Sequence, residues 1–182
     1  MTHAVSMRPR SWALVVCSLI LVAVSVRAAI YELTEALEGV LPSDAWLAVG
    51  ASTLSAVVGL VFLAWAARLK PTVLSWLAAF GWGTGGALIF AGYANTVIDS
   101  AVAASNLSDD AVDFVTSVLT GPIVEETGKG IGVLALILAA RKVLDRPAQG
   151  GVLGALIGLG FAWGEDVGYY VSALEGGMSG LW

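Results

Sequence analysis

Residues 46–67 read WLAVGASTLSAVVGLVFLAWAA and contain no charge. A bilayer core is about 30 Å thick, so a helix needs roughly 20 apolar residues to span it. This stretch has that length. In lipid its backbone groups must pair within the segment, which makes it a helix. Further apolar stretches lie on either side, at 12–26, 73–98, 114–140 and 152–171. Of the 182 residues 58% are hydrophobic and 13% charged, where a soluble domain averages roughly 25% charged. Mean hydropathy is +0.85. A soluble fold could not hide that much apolar surface. The fold class expected is all-α: a polytopic transmembrane helical bundle of about five spans, one membrane-embedded domain over 1–182.

The charges between the stretches sort by side. Arg8 and Arg10 precede the first, and Glu32, Glu35, Glu38 and Asp44 follow it. Arg68 and Lys70 separate the second from the third; Asp99, Asp109, Asp110 and Asp113 separate the third from the fourth. Arg141, Lys142 and Arg146 follow the fourth, opposed only by Asp145. The positive-inside rule then places the protein in the cell membrane as a multi-pass chain with a cytoplasmic amino terminus. The first stretch has signal-peptide features, with Val26-Arg27-Ala28 as a weak cleavage site. Arg27 within that site favours an uncleaved anchor. Pro42 and Pro71 read as loop residues, Pro147 closes the loop after the fourth stretch, and Ser108 or Asp109 is a candidate helix cap. Trp12, Trp46 and Trp182 read as interface anchors.

Composition excludes several functions. The net charge is −5 and no basic run exists, so nucleic-acid binding is excluded, because phosphate contacts need clustered Lys and Arg. The single cysteine, Cys17, and single histidine, His3, cannot build an intrachain disulfide or a multi-histidine metal site.

The intramembrane charges concentrate in the last two stretches: Glu125, Glu126 and Lys129 in the fourth, Glu165 and Asp166 in the fifth. Each costs about 2.5–3.5 kcal/mol at a helix centre, and such residues usually mark a functional path. Glu125 and Glu126 precede Lys129 by four and three residues, so both pairs can meet on the helix surface. Phe161, Glu165 and Tyr169 share one face, and Tyr169 can offer its hydroxyl to Glu165. An antiparallel hairpin of the two helices would set Glu125 level with Glu165, and Lys129 level with Phe161. Gly128 and Gly164 lie beside that level and would let the pair approach closely. Asn95, in the glycine-rich third stretch, is a candidate interhelical hydrogen-bond partner.

The segment Gly121-Pro-Ile-Val-Glu-Glu-Thr-Gly-Lys-Gly130 resembles the first motif of the PrsW family, Glu-Glu-x-x-Lys after a proline. The segment Gly158-Leu-Gly-Phe-Ala-Trp-Gly-Glu-Asp-Val-Gly-Tyr169 resembles its second, Phe-x-x-x-Glu-(Asn/Asp)-x-x-Tyr. The resemblance covers residues 121–170. It implies a polytopic intramembrane protease, related to the CAAX prenyl endopeptidases, acting on a membrane-protein substrate such as an anti-sigma factor. It implies catalytic roles for Glu125, Glu126, Lys129 and Glu165, with Phe161, Asp166, Tyr169 and Asn95 supporting. It also implies Zn2+ in the complete family site, with Glu165 as a candidate ligand. The family pattern includes a histidine on a later helix. The chain ends at Trp182 without one, so a shortened copy of the pattern is expected. On the residues alone, a carboxylate in a dry site can act as a general base near neutral pH, a role open to Glu125 or Glu126. An ion- or proton-coupled transporter and a non-catalytic membrane adaptor stay open beside the protease.

Overall fold

Helices in this chain begin and end where proline and glycine require. In the computed structural model, which describes residues 12–66, 73–140 and 147–176, α1 (Trp12–Ala36) continues ten residues past its apolar stretch. No glycine or proline interrupts it before Gly39, whose φ of 76° lies in the left-handed region that a side chain disfavours. Pro42 is not a loop residue but the first residue of α2 (Pro42–Ala66). Pro147 likewise opens α7 (Pro147–Glu175). Proline suits the first helical position, since its missing N–H would have no partner there. His3, Arg8, Arg10, the basic segments 67–72 and 141–146, and Trp182 lie outside the described residues.

The third rod is α3 (Val73–Gly81), a wide π-turn (Trp82–Ala87) and α4 (Leu88–Ala103). The fourth begins at α5 (Asp109–Phe114), widens in a second π-turn (Val115–Thr120) and becomes α6 (Gly121–Ala140). Ser108 stands at the cap position of α5, but its side chain makes no capping bond. The described residues are helical throughout their long elements, as expected of an all-α membrane protein. Among the described residues three helices are long and apolar enough to cross a membrane: Val15–Ala36, Pro42–Trp65 and Val73–Ala103. α6 carries Glu125, Glu126 and Lys129, and α7 carries Glu165 and Asp166.

α7 lies at the centre, in contact with α1, α2, α3, the first π-turn and α6. Leu153, Leu156 and Ile157 of α7 pack with Leu21, Ala78, Ala79 and Leu136 in the main core. Phe161 joins Ala87, Ala91 and Val124 in a second cluster nearer the charges. The glycines of the π-turn make this packing possible. A Cβ on Gly83 would overlap the carbonyl oxygen of Ile157, and one on Gly160 that of Phe80. Backbone meets backbone there, as small residues permit between membrane helices.

Candidate active site

The intramembrane charges meet at the α6–α7 hairpin. Ile137 lies against Gly150 and Val133 against Gly154, so the two helices run antiparallel. That register brings Lys129 opposite Phe161, the level expected from the numbering. The Lys129 ammonium sits 3.9 Å from the Phe161 ring centroid. Such a cation–ring contact is worth about 0.5–2 kcal/mol. The ring is 2% exposed and therefore fixes the ammonium from below.

Lys129 serves both neighbouring carboxylates. It lies 2.9 Å from Glu126 Oε1 and 3.6 Å from Glu125 Oε2. The two are not equivalent, since the Glu125 side chain is 30% exposed and that of Glu126 74%. Glu165, partly buried on α7, interacts electrostatically with Glu125, Lys129 and Asp166. Charge from both motifs therefore converges on one place. Tyr169 is 69% exposed and feels the charges of Glu165 and Glu125. Its hydroxyl makes no hydrogen bond to either among the described residues.

Four further residues, Asp166, Asn95, Gly128 and Gly164, do not serve the α6–α7 contact. Asp166 turns toward α2, where Ser55 Oγ donates to its Oδ2 at 3.3 Å. Asn95 stands on α4 with its amide oxygen buried and without a hydrogen-bond partner. The α4–α6 register explains this: Gly128 meets Ala87, which carries Asn95 about 7 Å along the axis beyond Glu125. Gly128 and Gly164 do not join α6 to α7. A Cβ on Gly128 would strike Phe90, and one on Gly164 would strike Leu88. Both glycines admit α4, which wedges against the hairpin from one side.

Sequence reasoning missed the groups that hold the hairpin in place. Trp82 Nε1 donates to the Gly128 carbonyl at 3.0 Å, one residue from Lys129. Trp163 Nε1 donates to Thr53 Oγ1 on α2 at 3.2 Å. The available signal was tryptophan in the middle of an apolar stretch, where its N–H needs a partner. A cavity of about 210 Å³ borders Glu165, lined also by Glu32 and Ala36 of α1, Thr84, Leu88 and Trp163.

The family model for PrsW family intramembrane metalloproteases matches residues 71–181. The chain belongs to this family. No curated protein and no solved structure matches it. The match covers both charged motifs and the third rod that packs against them. Membership makes the protein a membrane protein of a metalloprotease family. The described side chains do not by themselves fit a zinc ion, which takes nitrogen or sulfur ligands with at most some carboxylate. Among the described residues no three His, Cys, Asp or Glu side chains gather as a metal site. Cys17 is far from the carboxylates, its thiol lying 3.9 Å from the Ala135 carbonyl oxygen.

Proposed function

We propose that this PrsW-family chain is an intramembrane endopeptidase that hydrolyses a peptide bond in a membrane-anchored substrate, with Glu125 as the general base. The observation that carries the reading is that Lys129, ion-paired with Glu125 in the first motif, stands over the Phe161 ring of the second motif, one helical turn from Glu165. Such charges are costly in lipid and persist where they do chemistry. Of the two glutamates in the first motif, Glu125 is the better base. Glu126 is mostly exposed and holds the Lys129 ammonium at the shorter distance. Glu125 is more enclosed and lies on the side that Glu165 feels.

In this mechanism Glu125 takes a proton from a water molecule as the water oxygen attacks the scissile carbonyl carbon. The C–N bond then breaks, and the leaving amine receives a proton from Glu165. Lys129, fixed over Phe161, holds the Glu125 carboxylate in place through their ion pair before attack. General acid–base groups contribute about 10²–10⁴-fold each. A regulatory substrate with one membrane helix, such as an anti-sigma factor, suits a site at this depth. The proposed setting is the cell membrane, with five crossings and a cytoplasmic amino terminus.

The test is cleavage of single-pass membrane substrates by the protein reconstituted in liposomes. Glu125→Gln should lower the rate by about 10²-fold or more, and Glu126→Gln by less than about tenfold. Equal rates in wild type and Glu125→Gln would remove the assignment. Glu125-dependent proton flux without cleavage would favour a transporter instead.

A further inference from the structure

Glu32 borders the same cavity as Glu165 and takes no part in the proton transfers. It stands on α1, outside the residues that the family model matches. Close contacts with the third rod set its level. Ser25 lies against Gly81 and Ala28 against Gly85, while Gly160 lies against Phe80 and Gly164 against Leu88. α1 and α7 therefore both run parallel to the third rod. Glu32 is one turn past Ala28, and Glu165 is one residue past Gly164. The two carboxylates thus stand within about one turn of each other along the bundle. They border one space from different walls, and Thr84 and Leu88 of the third rod close it on another side.

The space measures about 210 Å³. A pocket for a whole small molecule has roughly 300–1,000 Å³, so this one has the size of a single side chain. Leu33, Leu88 and Val167 give it apolar walls, and Ala36 and Gly168 leave it open. A Cβ on Gly168 would meet nothing within 4 Å. The neutral polar groups of the lining already donate elsewhere, Thr84 to the Gly81 carbonyl and Trp163 to Thr53. Recognition of an occupant falls to the carboxylates. Glu165 is committed to the leaving amine. Glu32 makes no ion pair or hydrogen bond among the described residues. No described cation of the chain fills the space. Arg27 borders a different groove, with Tyr31, Thr34 and Ile89, and Lys129 is held by Glu125 and Glu126.

We propose that this cavity receives a lysine or arginine side chain of the substrate, with Glu32 as its counter-ion. Such a side chain has an apolar stem and a charged head. The stem suits Leu33, Leu88 and Val167, and the head suits a carboxylate that lacks a partner. A bare divalent cation fits worse, because calcium takes six to eight oxygen ligands and these walls are mostly apolar. The assignment rests on the proposed hydrolysis, in which Glu165 gives its proton to the leaving amine. A pocket that opens from Glu165 lies on the amine side of the scissile bond. It therefore takes the side chain of the residue whose amine leaves, and cleavage falls on the amino side of a basic residue.

The test uses single-pass membrane peptides that carry one lysine at successive positions, with matched sets carrying glutamine or glutamate there. In liposomes the wild-type chain should cut before the lysine, read as the new amino terminus by mass spectrometry. Its kcat/KM should exceed that for the glutamine peptide at least about tenfold. Glu32→Gln should abolish the preference, and Glu32→Lys should transfer it to the glutamate peptide. Glu35→Gln should keep it, because Glu35 is exposed and does not line the cavity. A second measurement needs no turnover. With the Glu125→Gln variant, a carbodiimide should couple the peptide lysine to Glu32. Glu125-dependent cleavage that ignores the basic residue or Glu32, or coupling of the lysine to other carboxylates but not Glu32, would overturn the pocket and leave the protease standing. Coupling at Glu32 with no peptide cleaved would support the pocket and remove the hydrolysis instead.

Discussion

Gly160 shows how much one hydrogen atom decides here. Its α-carbon faces the Phe80 carbonyl with no room for a methyl group, so the chain can bury α7 among its neighbours only if this residue stays glycine. Gly168, two turns along the same helix, has nothing within 4 Å of its added Cβ. Gly160→Ala should therefore destabilise the protein by about 1–3 kcal/mol, the usual cost of overpacking. Gly168→Ala should be neutral or slightly stabilising, because alanine is the better helix former. Unfolding in mixed detergent micelles measures both, and equal stability of the two variants would refute the backbone contact. Lys129 works by the opposite logic. Its neighbours are filled rather than empty: a ring beneath it and a carboxylate on either side. Packing and charge together hold a side chain that would otherwise have many rotamers.

At the scale of elements, the hairpin is the unit that makes a site. Cysteines at 125 and 165, in a Cys17→Ala background, should cross-link with a short reagent. Cysteines at 137 and 165 should not, because Ile137 lies at the level of Gly150, many residues from Glu165. Equal yields would mean that the two motifs do not share one level. This much was legible in the sequence for a physical reason. Charges in an apolar helix are expensive, so Glu125, Lys129 and Glu165 stand out, and a four-residue spacing puts them on definite faces. The third helix was less legible. Its stretch 73–98 is apolar throughout, which marks it as a span but shows neither the π-turn at its middle (Trp82–Ala87) nor the face it turns to each neighbour. Gly128 and Gly164 therefore read as contacts between α6 and α7, when the space they leave is filled by Phe90 and Leu88. Trp82 could not be assigned to the Gly128 carbonyl, because its partner lies 46 residues away on another element.

At the scale of the molecule, α7 raises a problem that topology answers. It contains Glu165 and Asp166, yet α1, α2, α3 and α6 all pack against it. A helix enclosed by apolar helices must sit as deep as they do. Its register against α2 gives its direction: Thr53 meets Trp163 and Ser55 meets Asp166, while Gly59 meets Leu159. Later residues of α2 thus meet earlier residues of α7, so the two helices run in opposite senses. α2 is long and apolar enough to cross a membrane. α7 has 29 residues, about 43 Å at 1.5 Å per residue, which is long enough to cross the same core. In the proposed five-crossing topology the alternation of basic and acidic connections sets the sign of each crossing. Reporter fusions after Lys70 and Arg146 should read cytoplasmic, and fusions after Asp44, Asp110 and Glu175 should read external. The fusion at Arg146 is the sharpest of the five, because it alone falls between α6 and α7. If α6 and α7 lay on the outer surface instead of crossing, Asp110 and Glu175 would both still read external, and Arg146 would read external with them. External signals at Asp110 and Glu175 together with a cytoplasmic one at Arg146 require that α6 and α7 each cross, carrying Glu125, Lys129 and Glu165 into the membrane together.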